Sequence, residues 1–224
     1  MINEASTVVL LSAGLDSAVL AAAEARAFRV HPIYVTAGLA WEDEELAMVR
    51  RLLQEAPFRR LAPLTILSFS VRDLYPPGHW ALQGAPPGFD TPDEDVYLAG
   101  RNLILLTKAA IYCAQHGIDR IALGPLAGNP FPDATPEFFA ALAHALSLGL
   151  AYPLAIATPF AALHKADVIR LGSDLGVRFD LTLSCMNPQA GQHCGRCSKC
   201  RERRDAFVGA GVADPTPYAV APLR

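Results

Sequence analysis

Residues 8–25, "VVLLSAGLDSAVLAAAEA", decide how the rest of the chain is read. Four apolar residues run into Ser12, Ala13 and Gly14. Asp16 and Ser17 follow, and then an alanine-rich segment. A short apolar run of this kind reads as a buried strand, and the alanine-rich segment as the helix after it. A tight polar loop between them leaves the N–H groups of the first helical turn unpaired, beside the positive end of the helix dipole. Such a loop is a candidate anion cradle. Ser12 and Ser17 add hydroxyls, and Gly14 permits close backbone approach. Asp16 repels a bare phosphate, so it points to a Mg²⁺ ion accompanying the anion or to a loop cap. The loop has no lysine and no G-x-G-x-x-G, so it is neither a Walker A motif nor the dinucleotide fingerprint. Ala13 stands where a second glycine would be easier.

Working outward, strand-like runs alternate with helical ones. The spacing predicts strands in "TVVLLS" (7–12), "RVHPIYVTA" (29–37), "LTILSFS" (64–70), "DRIALGP" (119–125) and "AIATPF" (155–160). It predicts helices over 14–27, 41–56, 99–117, 136–150 and 163–176. Helix 41–56 carries acids early and arginines late, which opposes its macrodipole. Strand and helix in alternation imply a doubly wound, Rossmann-like α/β domain with a parallel sheet covered on both faces. Ligands in such sheets bind at the carboxyl ends of strands. The loops at 12–17, 36–42 and 124–135 fall there. The Pro- and Gly-rich segment 70–98, with His79 and Trp80 in its middle, is expected to be a lid or a dimer contact. Trp41 and Trp80 suit either base stacking or packing in the core or lid.

The 224 residues carry a formal net charge of -3 and are 52% hydrophobic. That length buries a sizeable core. The charge argues against a nucleic-acid coat or a polybasic membrane binder. No run of about 18 apolar residues is present, so no transmembrane helix is expected. "MINEASTVVLLSAGLD" shows no basic leader or cleavage site, and a cytoplasmic setting is expected.

Cys113 stands alone in "AAIYCAQHG", where its helical apolar setting suits packing. Cys185, Cys194, Cys197 and Cys200 form a C-x8-C-x2-C-x2-C cluster near the end. Clustered cysteines in such a chain point to metal, and four thiolates converging on Zn²⁺ make a closed structural site. An iron–sulfur cluster is the competing metal reading. Gly191 and Gly195 give the backbone room to turn, and their N–H groups are expected to donate to the sulfurs. His193 could stand in for one thiolate. The basic residues Arg196, Lys199, Arg201, Arg203 and Arg204 are expected to form a solvated or dimer-facing patch.

Taken together, the Ser-x-Gly-x-Asp-Ser loop and the C-x8-C-x2-C-x2-C tail resemble the 7-cyano-7-deazaguanine synthase family of PP-loop ATP pyrophosphatases. "GRNLILLTKAAIYCAQHGIDRIALG", "NPFPDATPEFF", "TPFAALHKADVIRLGSDLGV" and "SCMNPQAGQHCGRCSKCRERRDAF" are similar to further parts of that family. The resemblance implies an adenine nucleotide alpha hydrolase-like fold over residues 1–180 and a zinc module with a tail over 181–224. It implies ATP, Mg²⁺ and Zn²⁺ as cofactors, a deazapurine carboxylate and ammonia as substrates, and a homodimer. The implied reaction turns 7-carboxy-7-deazaguanine into the nitrile through adenylated intermediates.

Residue roles follow from the same resemblance. Leu11, Ser12, Ala13, Gly14, Leu15, Asp16, Ser17 and Ala18 would form the nucleotide loop, with Asp16 and Ser17 also catalytic. Arg101 and Asn102 would meet phosphate or the transferred AMP, and Gly124 would let the ligand pass. Asp133 would contact metal or a substrate amine, and Lys165 would be a cation for the polyphosphate. From the residues themselves, Arg101 could instead pair with Asp93, Glu94 or Asp95, Asp133 could be a turn residue, and Lys165 could sit on a solvated face.

This chain departs from the family at four places. Ala13-Gly14 replaces two glycines, "TAGLAWEDEEL" replaces Tyr-Gly-Gln-Arg-His, Leu98-Ala99-Gly100 precedes Arg101-Asn102, and Ala134-Thr135 follows Pro132-Asp133. Three other readings therefore stand beside the synthase: a paralogue adenylating another carboxylate or amide, a tRNA-modifying adenylase or thiolase of the same fold, and a non-catalytic nucleotide-sensing module.

Overall fold

The computed structural model describes residues 5–221. Five parallel strands form one sheet in the order β3-β2-β1-β4-β5. They are β1 (Ser6–Leu10), β2 (Arg29–Thr36), β3 (Thr65–Ser68), β4 (Arg120–Ala122) and β5 (Ala155–Ala157). The helices are α1 (Leu15–Glu24), α2 (Glu42–Leu52), the single turn α3 (Trp80–Gln83), α4 (Arg101–His116), α5 (Pro136–Leu150), α6 (Lys165–Asp174) and α7 (Ser198–Ala210). The doubly wound expectation holds. All five expected strands and five helices are present, most of them shorter than the apolar runs suggest. β4 and β5 keep three residues each, because pairing ends where the chain leaves for the site loops.

Alternation along β1 sends side chains to two cores. Val9 and Leu11 join α1, α2, α6 and α7, while Val8 and Leu10 join α4 and α5. α1 packs so closely on α6 that a Cβ on Gly172 would lie 2.6 Å from Val19 and from Phe179. The strand order reverses between β1 and β4, which opens a crevice at their carboxyl ends. A third apolar cluster, with Leu39, Trp41, Val71 and Leu98, flanks that crevice. It draws in the 70–98 segment, where the Trp80 ring stacks on Trp41 at 5.9 Å between centroids. Both tryptophans thus pack in this cluster.

α7 was not among the expected helices, since its sequence is mostly charged. It is held by side chains that leave the surface. Arg203 is 1% exposed. It donates to Thr216 Oγ1, Thr182 Oγ1, Ser184 Oγ and the Phe179 carbonyl. Arg201 donates to the Phe89 and Thr91 carbonyls and pairs with Asp93. Arg204 pairs with Asp205 and lies over the Phe89 ring. For Arg201 and Arg203 the expected solvated patch is thus corrected, while Arg196 is exposed as expected. Arg201 and Arg203 tie α7 to the body of the protein, because their acceptors come from distant segments.

Candidate active site

The loop after β1 turns on Ala13, whose φ is 55°. An alanine accepts this left-handed conformation at a cost, and here tertiary contacts hold it. Ala13 is fully buried, and its carbonyl accepts from Leu183 N at 2.8 Å. The loop is braced internally. Ser17 Oγ donates to the Gly14 carbonyl at 3.0 Å, Ser12 N donates to Ser17 Oγ at 3.3 Å, and Gly14 N donates to Ser12 Oγ at 3.3 Å. The N–H groups of Ala13, Leu15, Asp16 and Ser17 find no acceptor among the described residues. Four free donors at a helix N-terminus form an anion cradle.

Two cavities meet over Ser12, Gly14 and Asp16 of this loop, and a third, of about 330 Å³, opens from Asp16 past Gly124, His164 and Lys165. The first, of about 270 Å³, reaches over the sheet and is lined by Leu11, Tyr34, Asn102, Leu105, Gly124 and Phe131 among others. The second, of about 170 Å³, extends toward α7 past Trp41, Lys165, Ser184, Met186, Lys199 and Glu202. Ser12, Gly14, Asp16, Glu45 and Arg101 line both.

Lys165 opens α6 and reaches the loop, 3.1 Å from Asp16 Oδ2. It also donates to Glu202 Oε1, while Lys199 holds Glu202 Oε2 at 2.6 Å. Burial alone would lower the Lys165 pKa, but the Asp16 and Glu202 carboxylates outweigh it and raise it. Burial raises Glu202, and the two lysines override that and hold it down at about 2. Asp16 Oδ1 is buried with no hydrogen-bond partner. An acid oxygen left free beside an anion cradle fits a Mg²⁺ ligand.

Arg101 forms no ion pair with Asp93, Glu94 or Asp95 and lies at the junction of the cavities. Asp133 is used differently from the expectation of a metal or amine contact. It is buried, and its Oδ2 accepts from Asn102 N at 3.2 Å, while Asn102 Nδ2 donates back to the Asp133 carbonyl. Its carboxylate caps α4 at a helix end that has no side-chain cap of its own.

Sequence reasoning missed Glu45. It sits in the acidic first turn of α2, yet it is only 8% exposed. Tyr34 Oη donates to Glu45 Oε2 at 2.8 Å. Burial pushes the Glu45 carboxyl up to about 7 against the opposing pull of Arg101 and the Tyr34 bond. Glu42, three residues earlier, is spent on the backbone, accepting from Ala37 N and Gly38 N.

The four sulfurs of Cys185, Cys194, Cys197 and Cys200 lie within 4.8 Å of one another and are buried. The Sγ separations of 3.9, 3.9 and 3.5 Å for Cys185–Cys197, Cys194–Cys200 and Cys197–Cys200 match the edges of a tetrahedron with Zn–S near 2.3 Å. The residues fit zinc. Gly191 and Gly195 do turn at positive φ. The sulfur donors, however, are Asn187 N, Cys194 N and Arg196 N, because the turns aim those amides inward. His193 is outside the set, and its Nε2 accepts from Ser184 N.

An anion cradle at the reversal of a parallel sheet, braced by a lysine and joined to a four-thiolate module, defines a nucleotide-binding α/β protein with a structural metal site. The family profile described as "Queuosine biosynthesis protein QueC" matches residues 6–211. Curated relatives named 7-cyano-7-deazaguanine synthase share this length. The protein of Anaeromyxobacter dehalogenans is 34% identical, covering 95% of each chain. That of Methanopyrus kandleri is 36% identical, over 96% of this chain and 99% of the relative. That of Azoarcus sp. is 35% identical, over 94% and 96%. This chain belongs to the QueC family.

Proposed function

We propose that this protein converts 7-carboxy-7-deazaguanine and ammonia into 7-cyano-7-deazaguanine, using ATP for two successive adenylations. The observation that carries the reading is the meeting of two cavities at one anion cradle. One has an apolar wall suited to a nucleoside, and the other runs along the thiolate module. An acyl acceptor in the second cavity would face the α-phosphate of a nucleotide in the first.

In this reading Leu11, Ser12, Ala13, Gly14, Leu15, Asp16, Ser17 and Ala18 make the nucleotide loop. Its free N–H groups take the charge that develops on pyrophosphate. Asp16 would hold Mg²⁺, which adds charge neutralisation to the polyphosphate. Lys165 stays protonated and supplies a fixed cation, and Arg101 orients the carboxylate at the junction. Asn102 and Gly124 shape the nucleotide side. Asp133 acts by holding Asn102 and the start of α4. The thiolates of Cys185, Cys194, Cys197 and Cys200 would hold zinc, which supplies rigidity to the 181–224 module and to the α7 residues facing the cavity.

Two broader parts belong to the proposal. The free thiols, none in a disulfide among the described residues, suit a reducing compartment such as the cytoplasm. No described helix is long and apolar enough to cross a membrane. A homodimer is supported by α5, an apolar helix that fully buries only Phe139, packs Phe138, Leu142, Leu146 and Leu150 partly against the core, and leaves Leu148 68% exposed. Light scattering on the purified chain should give the dimer mass.

A second reading, a different carboxylate or amide as acceptor, is favoured by Trp41 in the wall of the second cavity, where the family resemblance leads one to expect polar residues. Mass spectrometry after incubation with ATP, ammonia and 7-carboxy-7-deazaguanine decides between them. The nitrile and AMP are expected. AMP released only with another carboxylate would favour the second reading, and bound ATP with no turnover would sink both.

A further inference from the structure

We propose that Glu45 is the general base that takes a proton from ammonium in the amidation step. The inference rests on the synthase reading and adds a catalytic group to it. At neutral pH ammonia is mostly ammonium, which has no lone pair and cannot attack an acyl adenylate. A site that uses ammonium needs a proton acceptor where the two substrates meet.

The candidates are few. Neither of these two cavities is lined by a histidine; His164 lines the third cavity, which Glu45 and Arg101 do not border. The acids of the first two are Asp16, Glu45 and Glu202. Asp16 is paired with Lys165, and Glu202 is gripped by Lys165 and Lys199. The carboxylates of both are thus already engaged by lysine ammonium groups. Glu45 forms no ion pair within 4 Å among the described residues, and it lines both cavities beside Ser12 and Arg101. Its Oε2 is fixed by the Tyr34 hydroxyl, and its Oε1 has no hydrogen-bond partner among the described residues. One oxygen is thus positioned and the other is available.

The groups that face Glu45 set its basicity. Burial and Glu42 push its pKa up, while Arg101 and the Tyr34 hydroxyl pull it down, with a result of about 7. A base is most effective when its pKa lies near the working pH. Tyr34 itself is raised by burial and by the Glu45 carboxylate, so it remains a hydroxyl donor.

Ammonium gives one proton to the Glu45 carboxylate. The freed lone pair forms the C–N bond at the acyl carbon. The C–O bond to the adenylate breaks, and AMP leaves with the electron pair. The proton shed by the new C–N nitrogen goes to solvent, and Glu45 returns its own proton to solvent through the open cavity.

The test separates the two halves of the reaction in the full-length protein. ATP–pyrophosphate exchange with 7-carboxy-7-deazaguanine and no ammonia reads adenylation. Amide and nitrile formation with ammonium chloride reads the nitrogen step. Glu45→Gln is expected to keep exchange within about twofold. It should lose about 10²-fold or more in the nitrogen step, with partial recovery as pH rises and free ammonia accumulates. Tyr34→Phe removes a bond that lowers the Glu45 pKa, so the acidic limb of the nitrogen step should move to higher pH. An unchanged nitrogen step in Glu45→Gln, or an equal loss of exchange and product, overturns the assignment. No exchange in the unmodified protein would instead overturn the synthase reading, and this inference with it.

Discussion

The Lys165 ammonium stands between the Asp16 carboxylate of the nucleotide loop and the Glu202 carboxylate of α7. Glu202 lies two residues after Cys200, so the helix that carries a metal ligand also grips the lysine that touches the loop. Replacing Lys165 by Met should cut ATP turnover by about 10²-fold or more, the size of effect seen when one preorganised charge is removed. Glu202→Gln leaves the lysine with one anchor and should cost about tenfold, chiefly in KM for ATP. Steady-state kinetics in ATP check both.

Two buried carboxylates should give opposite pH signatures. Glu202 is held at about 2, below its ordinary value, so it adds stability above the usual carboxylate range. That stability is lost as pH falls toward 2. Glu45 is raised to about 7, so the folded state binds its proton more tightly than the unfolded one. Its stability contribution is present in mild acid and is lost as pH rises through 7. Thermal melts should show Glu45→Gln raising Tm at pH near 8 and not at pH near 4. Glu202→Gln should lower Tm at neutral pH and flatten the acid limb.

Native mass spectrometry should find one zinc per chain, and Cys197→Ser should lose it. Unpaired thiolates cannot remain buried together, so residues 185–210 should loosen. Hydrogen exchange should then rise in α7 and around Lys165. Unchanged metal content would remove the four-thiolate assignment.

Ala13 holds a left-handed conformation in a fully buried loop. Glycine accepts that conformation without the Cβ penalty, so Ala13→Gly should stabilise the fold by up to about 1 kcal/mol. ATP turnover should stay intact or rise. Loss of turnover would mean that the buried methyl group shapes the cradle.

Gly172→Ala places a Cβ 2.6 Å from Val19 and Phe179, in the seam between α1 and α6. Overpacking there should cost about 1–3 kcal/mol and lower the denaturation midpoint. Because α1 carries the cradle, ATP affinity should fall with it.

Much of this was legible in the residues. The alternation of apolar runs called the sheet, the polar loop after β1 called the cradle, and the C-x8-C-x2-C-x2-C spacing called the metal set. Each signal is local, since a few adjacent residues carry the pattern. Glu45 was hidden in Glu42–Asp43–Glu44–Glu45, a run that reads as favourable charge at a helix start. Only burial under Tyr34 separates it from its neighbours. α7 was missed because its charged residues suggest solvent, whereas the acceptors of Arg201 and Arg203 come from residues 89–93, 179–184 and 216. Asp133 was expected to be a metal or amine contact on the family resemblance, with a turn residue after Pro132 as the alternative. Its actual partner is the backbone of Asn102, 31 positions away.

The amino-acid order alone therefore determined the strand–helix alternation, the position of the anion loop and the thiolate tetrad, because backbone periodicity and ligand spacing act over a few residues. Tertiary structure decided which charges function as charges. It paired Lys165 with Asp16 and Glu202, buried Arg203 among hydroxyls, and left Glu45 with one oxygen unpartnered. The physical reason is that ionisation and pairing follow from desolvation and from neighbours that folding brings together. In the opening stretch this is plainest at Ala13. Its Cβ disfavours the left-handed turn locally, and tertiary packing, with Leu183 N bound to its carbonyl, holds it there.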